Sequence, residues 1–246
     1  MAGIAGGLAG GAFAGWAAGG GGRTTEASEW VADAAARALP SVVTIEVRGH
    51  EGSTGSGVIV RSDGYILTNR HVVASAVGNG SEIVVTRYGQ LTQIPATLVG
   101  QDAKNDLAVI RIDTDGPLPV ATLGRSDKLR VGTAVIAVGA PLGLPGSVSA
   151  GIVSALNRSP SEPQANGGAI LLTGAIQTDA AINPGSSGGP LLGDDGRVVG
   201  IITAIGAVPG VPGGVDSQTG NIGVGFAIPI ERARSVADKI IQSGGA

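Results

Sequence analysis

At 246 residues the chain can build one large domain or two small ones with real cores, and its net charge of −3 gives no electrostatic footprint for nucleic acid. Zero cysteines rule out disulfides and thiolate metal sites, and His50 and His71 are too few for a histidine-rich metal centre, so neither metal nor cofactor is expected. Charged residues at 14% and aromatics at 2%, beside 44 glycines, suit many short strands joined by tight turns and argue against a helical bundle.

Residues 1–22 carry no charge and hold ten Gly, seven Ala and five large apolar residues. Gly3, Gly7, Gly11, Gly15 and Gly19 recur every fourth residue, a small-residue ridge along one helix face that lets backbones approach inside a bilayer. A membrane anchor is the expectation. A cleaved signal peptide is its rival, with Ala12-Phe13-Ala14 as the small-x-small site but no basic leading region. A glycine-rich tail is the third reading. Residues 23–40 read as a linker and a short helix over Ser28–Ala38, capped by Ser28 and stopped by Pro40.

From Ser41 the pattern becomes β-branched. Val42–Val47 begins it, and Ser56–Val60 with Tyr65–Thr68 flank an Asp63-Gly64 turn as a hairpin. Further strands are predicted at Glu82–Thr86, Ala96–Val99, Leu107–Ile112, Ala134–Val138, Ser149–Ala155, Ala169–Leu172, Pro190–Leu192, Val198–Ala204 and Gly223–Ala227. Turn signals every 8–12 residues mark an all-β sandwich or barrel. A helix beginning at Pro229 carries an apolar stripe of Ile230, Ala233, Ala237, Ile240 and Ile241, which is expected to pack onto the barrel. Arg158–Gly168 and Gly206–Gly220 read as long loops.

The stretch Thr178–Pro190 sets Ser186 and Ser187 among Gly185, Gly188 and Gly189. A serine displayed on so sharp a bend is either a turn residue or a nucleophile. As a nucleophile it needs a neighbouring base that is itself held by a third group. Gly185 to Gly189 also matches the G-x-S-x-G elbow of α/β-hydrolases, whose histidine follows the serine, and no histidine follows position 71. The order Asp, His, Ser would need Asp33 or Asp63 and a parallel sheet with helical crossovers. The order His, Asp, Ser remains. His71 ends an apolar strand, Asp106 lies 35 residues on before a second one, and Ser187 lies 81 residues beyond that.

Thr68-Asn69-Arg70-His71-Val72-Val73, Asn105-Asp106-Leu107-Ala108-Val109-Ile110 and Thr178–Pro190 resemble the three motifs of HtrA/Deg-type serine proteases of bacteria. Gly55-Ser56-Gly57-Val58 and Gly223 to Pro229 are similar to that family as well, and the similarity spans roughly residues 30–243. The resemblance implies an all-β, chymotrypsin-like double six-stranded β-barrel with a short N-terminal and a C-terminal helix. The expected division is an N-terminal barrel over 41–127, a C-terminal barrel over 128–229, and a helix and tail over 230–246.

The same resemblance implies that Ser187 is the nucleophile, His71 the general base and then acid, and Asp106 the residue that fixes the imidazole tautomer. The amides of Gly185 and Ser187 would form the oxyanion hole. Members of the family often carry Asn where Ser186 stands. Ala181, six residues before the nucleophile, with Ile182 beside it, would floor a primary pocket without an acid, favouring cleavage after Val, Ala or Leu. Thr203, Ala204 and Ile205 would pair with an extended substrate peptide. The implied partners are unfolded polypeptides and, through the region of Trp30, two further copies in a homotrimer. The protease part would lie outside the cytoplasm in protein quality control, regulated through the loop Arg158–Gly168. The family usually carries a PDZ domain after the protease, and none is read up to Ala246. A double barrel kept as a resting chaperone or binding module is the alternative.

Overall fold

A computed structural model describes residues 22–49, 52–78, 80–163, 169–203 and 223–244. Residues 1–21 of the anchor expected over 1–22, His50 and the loop Gly206–Gly220 lie outside these residues. Among the described residues no helix is long and apolar enough to cross a membrane.

Two closed six-stranded antiparallel barrels dominate the chain, as the sequence predicts. The first is built from β1 (Val42–Arg48), β2 (Ser53–Ile59), β3 (Tyr65–Asn69), β4 (Glu82–Arg87), β5 (Gln93–Asp102) and β6 (Leu107–Ile112), in the order β1-β2-β3-β6-β5-β4. Its register follows from the period-2 alternation of side chains. Val43, Ile45 and Val47 of β1 fill the barrel with Ile59, Ile66 and Ile110, while Val42 points the other way.

The second barrel comprises β7 (Ala134–Gly139), β8 (Ser147–Arg158), β11 (Ala175–Thr178), β12 (Pro190–Leu192), β13 (Val198–Thr203) and β14 (Gly225–Pro229), in the order β11-β14-β13-β12-β7-β8. Val135, Val153, Ile176, Leu191, Val199 and Ala227 form its core. β13 is buried along its whole length because both of its faces are covered, which is why it reads as a continuous apolar run.

A third apolar cluster lies where the barrels meet. It joins Val58, Leu67 and Val109 of the first to Ile136, Val138 and Ile201 of the second. Helix α3 (Ile230–Gly244) packs against β5 and β6 on one side and β13 and β14 on the other. Its stripe of Ile230, Ala233, Val236, Ala237 and Ile240 is buried. The helix comes so near β5 that a Cβ on Gly100 would lie 2.8 Å from Ile240 Cγ2. Glu231, in the first turn, accepts from the Ser126 N–H at 2.9 Å, a carboxylate placed where the helix dipole favours it. Helix α1 (Gly22–Ala38) adds Ala34, Ala35 and Ala38 to the same cluster.

Three elements differ from the sequence reading. The helix before Pro40 begins at Gly22 and not at Ser28. Ala169–Leu171 is β10 of a two-stranded ribbon with β9 (Ser161–Pro163), inside the stretch read as a loop, and β11 takes the barrel position instead. His71 sits on a single helical turn, α2 (Arg70–Val73), and not at the end of a strand.

Candidate active site

β3 and β6 pair with Asn69 opposite Leu107, so the chain leaving β3 and the chain entering β6 emerge at one end of the first barrel. His71 follows the one and Asp106 precedes the other. Asp106 occupies the turn between β5 and β6 at φ +50°, a left-handed conformation that Asp tolerates better than most residues. Its side chain is fully buried, whereas that of His71 is 30% exposed.

A buried carboxylate needs hydrogen bonds on both oxygens. Oδ1 of Asp106 accepts from the His71 main-chain N–H at 3.0 Å, and Oδ2 meets His71 Nδ1 at 2.8 Å. Thr203 Oγ1, at the end of β13, adds a longer bond to Oδ2 at 3.4 Å. The main chain of Asp106 is held too, its carbonyl accepting from the Arg70 N–H at 3.1 Å and from Asn69 Nδ2 at 2.9 Å. An ionised carboxylate only accepts, so Nδ1 is the donor of this pair, and in the neutral imidazole the lone pair is then on Nε2. That is the tautomer a general base requires.

The serine loop is shaped by one turn. The Ser186 N–H donates to the Asn183 carbonyl at 2.9 Å, closing a four-residue turn with Pro184 second and Gly185 third at φ +96°. This is the pattern of a type II turn, which demands a positive φ at its third residue. Gly188 has φ +85°, and a Cβ there would lie 2.1 Å from the Ser56 carbonyl oxygen. The amides of Gly188 and Gly189 are spent on the Ile202 and Ser186 carbonyls, at 2.9 and 3.0 Å. Ser186 and Ser187 are both buried, at 4% exposure.

β2 brings the loop and the histidine turn together. Ser53 Oγ donates to the Val72 carbonyl at 2.6 Å, and Gly55 is wedged between them. A Cβ on Gly55 would lie 2.6 Å from the methyls of Val72 and 3.2 Å from the Ser187 carbonyl oxygen. The next residue, Ser56, donates its N–H to that same carbonyl at 2.7 Å. Ser187 therefore sits across one strand from α2.

The residues expected to line a substrate site are spread more widely. Ala181 is exposed, and its carbonyl accepts from Ser149 Oγ at 2.8 Å. Ile182 is buried in the second barrel's core, and a Cβ on Gly225 would lie 2.4 Å from its Cδ1. Thr203 is fully buried, with its hydroxyl turned to Asp106. Ala204 and Ile205 lie outside the described residues. Sequence reasoning missed the side chains of Ser56 and Thr203, although the glycines on either side of Ser56 signal a strand that must be approached closely. Among the described residues no group of three or more His, Asp or Glu is placed to hold a metal.

Residues 55–201 match the family model described as the trypsin-like peptidase domain. The chain is 42% identical over 221 residues to the serine protease PepD of Mycobacterium tuberculosis, covering 88% of this chain and 47% of that protein. It is 45% identical over 193 residues to a probable periplasmic serine endoprotease, DegP-like, of Hahella chejuensis, covering 78% of this chain and 36% of the other. The chain thus spans about half or less of these relatives' length. Among solved structures, the HtrA-type protease AlgW with a tripeptide superposes with a TM-score of 0.73 at 40% identity, over 87% of this chain and 64% of that one.

Proposed function

The chain belongs to the trypsin-like peptidase family, in its HtrA-type branch, and we propose that it is a serine endopeptidase working through an acyl-enzyme. The observation that carries this reading is the two-point grip of Asp106 on His71, which selects the tautomer of the neutral imidazole whose lone pair is on Nε2. Ser187 Oγ attacks the scissile carbonyl as His71 Nε2 takes its proton. The N–H groups of Gly185 and Ser187 stabilise the oxyanion. His71 then gives the proton to the leaving amine. Water, activated by the same imidazole, hydrolyses the ester and restores Ser187.

The substrate in this reading is an exposed segment of a misfolded polypeptide, held beside Thr203, Ala204 and Ile205 by main-chain pairing. The primary site at Ala181 and Ile182 offers no carboxylate, so cleavage follows Val, Ala or Leu. The working unit is the pair of barrels over 41–127 and 128–229 with the helix and tail over 230–246, assembled as a trimer. It acts outside the cytoplasm, tethered through residues 1–22; the support is the naming of DegP-like relatives as periplasmic and the uncharged, glycine-ridged start of the chain.

Digestion of β-casein, with mass spectrometry of the new C-termini, tests the proposal. Cleavage after Val, Ala and Leu, absent in Ser187→Ala, is expected. A product set dominated by Lys and Arg overturns the specificity, and no cleavage by the wild-type chain overturns the activity.

A further inference from the structure

We infer that Ser56, on the barrel that does not carry the nucleophile, is a positioning residue that holds both oxyanion donors of the proposed protease in place. Two of its polar groups, the N–H and the hydroxyl, engage the half of the molecule that carries the nucleophile through three hydrogen bonds. Its N–H donates to the Ser187 carbonyl at 2.7 Å. Its hydroxyl donates to the Gly185 carbonyl at 2.7 Å and accepts from the Ala140 N–H at 2.8 Å. Its own carbonyl accepts from Thr68 Oγ1 at 2.7 Å, three residues before His71.

Two features set this residue apart from an ordinary satisfied core serine. The carbonyls it holds belong to Gly185 and Ser187, the two residues whose N–H groups are assigned to the oxyanion. The Gly185 carbonyl lies in a planar peptide between the two donor N–H groups, and the Ser187 carbonyl in the peptide that follows them. Holding both limits how either donor can swing, and catalysis by such donors depends on their being fixed before charge develops. The turn from Asn183 to Ser186 is closed by the Ser186 N–H, and the Ser56 hydroxyl ties its Gly185 carbonyl to the first barrel.

The surroundings are also cut to fit the hydroxyl. Ser56 is fully buried. A Cβ on Gly139 would lie 2.9 Å from Ser56 Oγ and 3.1 Å from Ser186 Cα, and one on Gly189 would lie 3.3 Å from Ser56 Cβ. With the hydroxyl removed, the Gly185 carbonyl and the Ala140 N–H are left buried without their partner, and the turn gains freedom to reorient. The loss falls on the transition state, where the oxyanion forms, and not on the ground-state complex.

The inference rests on the protease reading, and its test separates the two. Ser56→Ala and Ser56→Cys are compared with the wild-type chain in steady-state hydrolysis of fluorescein-labelled β-casein and in inactivation by a fluorophosphonate. The Cys variant leaves no cavity and replaces the hydroxyl by a somewhat larger, far weaker donor and acceptor, so it gives an independent reading if the Ala variant does not fold. Roughly 10- to 100-fold loss of kcat is expected, with KM within about twofold and an equal loss in the fluorophosphonate's limiting inactivation rate, from displaced oxyanion donors. Circular dichroism is expected to show both barrels intact at the assay temperature. A folded variant with kcat within about threefold of wild type overturns the positioning role and leaves the protease reading standing. So does a change carried wholly by KM. A wild-type chain that neither cleaves nor is inactivated overturns both.

Discussion

Replacing Asp106 by Asn exchanges one carboxylate oxygen for an NH2 group and reverses the polarity facing the imidazole. Oδ1 takes the His71 main-chain N–H at 3.0 Å, and Oδ2 faces Nδ1 at 2.8 Å. An amide has a single acceptor. Kept on the main-chain N–H, it turns its NH2 toward Nδ1, which must then carry the lone pair. The proton moves to Nε2, and His71 can no longer receive one from Ser187. The backbone has little reason to change, because Asn is as tolerant as Asp of the φ of +50° at this turn. A neutral amide is also no harder to bury than the carboxylate it replaces. The wrong tautomer lowers turnover on the order of 10⁴-fold in the template triad, about 5.5 kcal/mol of barrier. Initial rates of β-casein cleavage, with a thermal melt to confirm folding, measure the effect in Asp106→Asn. A folded variant that keeps more than about a tenth of wild-type kcat refutes the tautomer argument.

Other substitutions probe the frame and the specificity. Gly188→Ala places a methyl 2.1 Å from the Ser56 carbonyl oxygen at φ +85°, and a stability loss of about 3 kcal/mol or more, read as a melting point lower by roughly 6–12 °C, is expected from urea and thermal unfolding. Ile240→Ala on α3 opens a cavity where the helix meets Gly100, costing about 2–5 kcal/mol in the same assays; an unchanged midpoint contradicts the bridging role of the helix. Ala181→Asp should move casein cleavage toward sites after Lys and Arg, since a carboxylate in the primary site pairs with a cationic side chain. An unaltered cleavage map shows that the exposed Ala181 does not face the substrate.

The barrels were legible because their strands are β-branched, alternate with period 2 and are separated by glycine turns, a signal that survives without tertiary context. The grouping of His71 with Asp106 was legible from chain order, since only one arrangement had the histidine first. β11 escaped notice because Ala175–Thr178 is four residues long and pairs with β8 through register shifts that break its alternation. β9 was hidden among the prolines and polar residues of an apparent loop. The roles of Ser56 and Thr203 were not legible at all. A buried hydroxyl on a strand has no periodicity of its own, and the partners of these two lie 129 and 97 residues away. Such contacts are fixed only when one barrel docks on the other.

The account's central claim is that Ser187 is a nucleophile activated by a neutral His71 which Asp106 holds in place. Reaction of the whole chain with a fluorophosphonate probe, followed by tryptic mapping of the adduct, tests it most directly. Label on Ser187, none on Ser186, and loss of labelling in His71→Ala is the predicted result. Label on Ser186, or on Ser187 at an unchanged rate in His71→Ala, contradicts the assignment. No label on a folded chain even in the presence of casein contradicts the enzyme and favours a resting binding module.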